Sequence, residues 1–140
     1  MPTPQGFPEQ VRHSVLELHR TLLDAQRARY ERDHGRIKTS SELLGLVLEH
    51  PAFEWLRELS ALIAQLDEWL EERDKAGDTA LEEILDTMRR MIQAGGATTF
   101  NTRYWQFVEE VPEVLVEHVK LWRLLGPSRE RGEAAPAPPS

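Results

Sequence analysis

The chain has 140 residues, 40% of them hydrophobic and 29% charged, enough to bury one core and remain soluble. Lys and Arg number 17 against 24 Asp and Glu; a net charge of −7 argues against a general nucleic-acid binder and against attraction to an anionic membrane leaflet. With no cysteine there can be no disulfide scaffold, thiolate zinc site, iron–sulfur cluster or cysteine nucleophile.

Residues 1–8, with Pro2, Pro4, Gly6 and Pro8, read as a flexible lead-in whose last proline suits a first helical turn. This stretch has neither the charged nor the apolar region of a secretory signal, and no apolar run approaches the roughly 20 residues that cross a bilayer. A cytoplasmic protein is therefore expected. Val11, Val15, Leu18, Leu22 and Ala25 then recur in steps of three and four, predicting a helix to about Ile37 that weakens at His34-Gly35. Thr39-Ser-Ser-Glu42 reads as a capping box opening a short helix, Ser40 to about Glu49, expected to cover one end of the fold. Pro51 makes His50-Pro51 a joint. A helix over Pro51–Asp74 follows, its apolar arc running from Trp55 and Leu59 to Leu66 and Trp69.

Lys75-Ala-Gly-Asp78 reads as a turn, and Thr79-Ala-Leu-Glu82 as a second capping box opening a helix to about Ala94. Gly95-Gly96 stops it. The last helix, Thr102–Leu125, is expected to kink at Pro112 and to bury Tyr104, Phe107, Val111, Leu115, Val119 and Trp122. Residues 126–140, charged and then Pro/Ala-rich, read as a disordered tail. No repeat and no two-residue alternation occur. The expected fold is all-α, an antiparallel four-helix bundle over 9–125 with a short extra helix between the first two.

Two histidines and an aspartate fall on or beside apolar arcs. Counting about 1.5 Å per residue puts His19 roughly 16 Å and Asp67 and His118 about 10 Å from the same end, close enough for one layer. Imidazole and carboxylate are the usual bundle-core ligands of iron, zinc or manganese, so these three are the candidate metal set. The simpler account is that each buried histidine needs only a hydrogen-bond partner.

Asp67-Glu68-x-x-Glu71, a short turn, and Glu83-x-x-Asp86 resemble the motif of MazG-type nucleoside triphosphate pyrophosphohydrolases, Glu-Glu-x-x-Glu followed by Glu-x-x-Asp. The resemblance covers about a quarter of the chain, and Asp67 stands where the family has Glu. It implies a dimer in which Glu68, Glu71, Glu83 and Asp86 hold Mg²⁺ on a triphosphate. The pattern alone gives a plainer alternative, a solvated acidic face, because these carboxylates point away from the apolar arcs.

Charge is also uneven. Residues 12–38 carry seven basic side chains against four acidic, and residues 40–86 three against thirteen. Either the basic helix pairs with the acidic hairpin or the acidic face steers a basic partner. Trp105 falls outside its arc and is the candidate contact anchor; packing on the 95–101 linker is the other option. No phosphate loop, nucleophile elbow or His-Glu-x-x-His occurs. The chain is thus expected to be a non-enzymatic helical protein without a cofactor, acting through a protein partner or as a homodimer and not on nucleic acid or membrane. A Mg²⁺-dependent pyrophosphohydrolase and a His/Asp metal bundle are the alternatives.

Overall fold

The computed structural model describes residues 6–126, and these fold entirely into helices and short connections. The expected tail and most of the lead-in lie outside the described residues. Eight helices follow in order: α1 (Phe7–His34), α2 (Ser40–Glu49), α3 (Pro51–Glu54), α4 (Arg57–Glu71), α5 (Arg73–Ala76), α6 (Asp78–Ile92), α7 (Thr99–Glu110) and α8 (Pro112–Leu125). Among the described residues no helix is long and apolar enough to cross a membrane.

α1 is the strut of the molecule. It carries Pro8 in its first turn, and its buried stripe is Val11, Ser14, Val15, Leu18, Leu22 and Gln26. α8 and α4 pack along it, α6 packs on α4, and α7 on α6 and α8. α1 and α4 run antiparallel: Arg12 pairs with Asp67 near one end, and Trp55, just ahead of α4, donates its indole N–H to Gln26 Oε1 at 2.9 Å near the other. Arg73 likewise pairs with Glu9. Of these two ion pairs only Arg12–Asp67 joins the basic stretch of α1 to the acidic hairpin, so the uneven charge is matched by a single pair there; Phe53, Tyr104 and Phe107 are buried.

Several boundaries differ from expectation for physical reasons. The single helix over Pro51–Asp74 is three pieces, interrupted at Trp55-Leu56 and at Glu72. The expected kink at Pro112 is a full break: Val111 has φ −118° and ψ 108°, the extended conformation that proline imposes on its predecessor. The second capping box is unused. α6 begins at Asp78, directly after Gly77 with φ +80°, and no side chain caps it. Thr98, which the pattern did not single out, caps α7 by accepting from the Asn101 N–H. Thr39 does cap α2, accepting from Glu42 N–H at 3.0 Å, while Glu42 accepts from Lys38 N–H.

Candidate functional site

The three proposed metal ligands are held apart. His19 turns toward α4 and shares a 2.8 Å hydrogen bond with Ser60. Asp67 lies seven residues, about 10 Å, farther along the α4 segment and is paired with Arg12. His118 faces α7 instead, its Nδ1 2.6 Å from the Tyr104 hydroxyl. Among the described residues no group of three or more His, Asp or Glu side chains is placed to hold a metal ion. The expected common layer fails because heights counted from helix ends ignore the breaks at Glu72 and Val111 and say nothing of rotation about each axis.

His118 is boxed by aromatic rings, Trp105 edge-on at 4.9 Å and Trp122 stacked at 6.2 Å. Burial removes water from its charged form and pulls its pKa below the ordinary histidine value, as it does for His19. Burial also pushes the Tyr104 phenol up, so the bond joins two neutral groups. His118 is thus a buried residue and His19 a half-buried one, each supplied with a hydroxyl partner.

The four carboxylates of the pyrophosphohydrolase pattern divide. Glu68 and Glu83, with Glu72 and Trp69, line one groove of about 400 Å³ between α4 and α6. Glu71 is exposed outside it. Asp86 is bound to Arg89, a buried residue whose guanidinium also donates to the carbonyls of Leu125 and Gly126. Two of the four face common space, and one of the others is held by a cation.

Trp105 is half-buried, and its Nε1 donates to the carbonyls of Ile92 and Gln93 at 3.1 Å. Trp105 therefore fastens α7 to the end of α6 and leaves part of its ring accessible. Exposed apolar surface lies elsewhere. Leu115, Val116 and Val119, of which Leu115 and Val119 were expected in the core, are exposed on α8 because the break at Val111 turns that helix relative to α7.

The most conspicuous exposed apolar surface is α2. Its sequence SSELLGLVLE is half aliphatic, yet it buries no residue, and Leu44 and Leu48 are 58% and 59% exposed. Midway sits Gly45, in ordinary helical conformation, with open space where a Cβ would stand. At about 100° per residue, Ser41, Leu44, Gly45 and Leu48 share one outward face. The pattern showed the helix but not its exposure, since a short apolar helix reads the same whether covered or bare. No protein-family model, curated protein or solved structure matches this chain.

Proposed function

We propose that this protein acts by non-enzymatic protein–protein contact, pairing with a second copy of itself through α2, with α1, α3–α4, α6 and α7–α8 as the walls of an antiparallel bundle that carries the arm. The supporting observation is α2 itself. Half of its residues are aliphatic, yet the described residues bury none of them: Leu43, Leu46 and Val47 are half-covered and Leu44 and Leu48 exposed. Gly45 costs a helix interior about 1 kcal/mol relative to alanine, and among the described residues nothing approaches the place of its Cβ. A neighbouring backbone brought close across Ser41 and Gly45 gives it a use. Only Glu42 and Glu49 are charged on α2, so a two-fold antiparallel pairing brings together two lightly charged helices of an acidic chain.

Sedimentation velocity on the whole chain tests this. The wild type is expected at twice 16.1 kDa at a concentration of about 100 µM, and Leu44→Glu with Leu48→Glu at 16.1 kDa with an unchanged helical circular dichroism spectrum. A wild-type monomer, or a variant that still dimerises, overturns the assignment. The partial carboxylate groove does not favour hydrolysis over this reading, because Glu71 and Asp86 do not share it.

A further inference from the structure

A second groove, of about 710 Å³, runs between α1 and α8. Its α1 wall presents His13, Ser14 and Glu17, and its α8 wall Glu117, Lys120 and Arg123. Ser14 occupies a position of the α1 buried stripe and is 7% exposed, and its hydroxyl has no hydrogen-bond partner among the described residues. A hydroxyl left in that condition gains from any group that enters and bonds it.

The charges along the groove are not neutralised evenly. Lys120 pairs with Glu117 at 3.4 Å. Among the described residues the carboxylate of Glu17 and the guanidinium of Arg123 have no hydrogen-bond or ion-pair partner. They do not pair with each other because they stand at opposite ends. Arg29 pairs with Glu110 beside the far turn, while Gln10 and Leu124 share the near end of the groove, so α1 and α8 are antiparallel. Glu17 therefore lies toward Glu117, and Arg123 lies six residues, about 9 Å, beyond Glu117 on α8. An anion alone would leave Glu17 opposed to it, and a cation alone would leave Arg123 opposed. A ligand carrying both charges at that spacing matches both, and an amide between them supplies what the Ser14 hydroxyl lacks.

We propose that the α1–α8 groove binds a short peptide with both termini free, its ammonium on Glu17, its carboxylate on Arg123 and a backbone amide on Ser14. Two to three extended residues, at about 3.3–3.6 Å each, cover the span.

The experiment is an NMR titration of the labelled whole chain with trialanine, with N-acetyl-trialanine amide and with 6-aminohexanoate. Expected is saturable perturbation of α1 and α8 amides by trialanine, with a dissociation constant of about 1 mM or tighter, and binding at least about tenfold weaker for the blocked peptide. Glu17→Gln and Arg123→Gln, both on the groove rim, are each expected to weaken trialanine by about tenfold. Ser14→Ala weakens trialanine about fivefold but leaves 6-aminohexanoate, which has the charges without an internal amide, unchanged. Absence of saturable shifts at the groove, equal binding of the blocked peptide, or indifference to both charge variants overturns the proposal. None of these readouts depends on whether α2 pairs.

Discussion

Arg89 closes the fold, and its replacement by methionine has a magnitude that can be worked out. Its side chain is 7% exposed; Nε donates to Gly126 O at 3.1 Å, Nη2 to Leu125 O at 3.0 Å, and Nη1 to Asp86 Oδ1. The cation thus caps the carbonyl end of α8, where the helix dipole is negative, and links it to α6. Arg89→Met keeps the packing stem but leaves two carbonyls without their donor and takes the guanidinium away from the Asp86 carboxylate, which is 20% exposed. Removing one partner of a buried pair costs about 3–5 kcal/mol, and the relief of guanidinium desolvation is already within that range. With a urea m-value of about 2 kcal/mol/M for a domain of this size, the midpoint should fall by about 1.5–2.5 M, read by far-ultraviolet circular dichroism. A midpoint shift below about 0.5 M with unchanged m would refute this account and place α8 under the control of its apolar face alone.

The remaining predictions concern the other polar groups and α2. His19 and His118 have folded-state pKa values below their ordinary 6.5, so the unfolded chain binds protons first; stability is full above that value and declines as pH falls through it, levelling off once the folded-state values are passed. The thermal midpoint should drop between about pH 7.5 and pH 5.5, and His118→Gln should flatten the profile. Gln26→Leu strands the Trp55 indole N–H in the core and should cost about 1–3 kcal/mol in urea unfolding, whereas the double variant Gln26→Leu with Trp55→Phe should cost less than the sum of the two singles. Gly45→Ala should raise the stability of the monomeric L44E/L48E background by about 0.5–1 kcal/mol, since its Cβ enters open space, yet weaken self-association of the otherwise wild-type chain in sedimentation.

The helices were legible because their apolar residues recur at helical spacing and because Thr39, Pro51 and Gly95-Gly96 punctuate them with known chemistry. The lengths were less so. Nothing local distinguishes Trp55-Leu56, where the helix is interrupted by a turn, from ordinary helix, and Pro112 is compatible with either a kink or a break until the neighbours of α7 and α8 are fixed. Histidine 118 shows what periodicity can and cannot give. Its place on the inner face of α8 was readable, but its partner was not, because Tyr104 reaches it only after the chain folds back at Val111. The same limit separated Glu68 and Glu83, which do meet across a groove, from Asp86, whose partner Arg89 is one turn away on its own helix and answers to the end of α8. Ser14 gave a local signal, a hydroxyl on an apolar stripe between Val11 and Leu18. Arg123 and Glu17 gave none, since exposed charges on amphipathic helices are the rule.

His50 sits where α2 ends and α3 begins, and it serves both. Its N–H donates to Leu46 O at 2.8 Å, its Nδ1 accepts from Ala52 N–H at 3.0 Å, and its ring lies edge-on to Tyr30 of α1 at 5.2 Å. Arg57 holds the Leu48 carbonyl from the far side. α2 is thus held at this end by His50 and Arg57 and at the other by buried Ile37, whose backbone bonds Arg27 and Glu31 of α1, and the next rings past His50, Phe53 and Trp55, belong to the interior. A load placed on Leu44 or Leu48 can pass into the body of the protein through the His50 ring and onto Tyr30. The chemical shifts of the His50 and Tyr30 rings are therefore expected to report a partner that grips the arm.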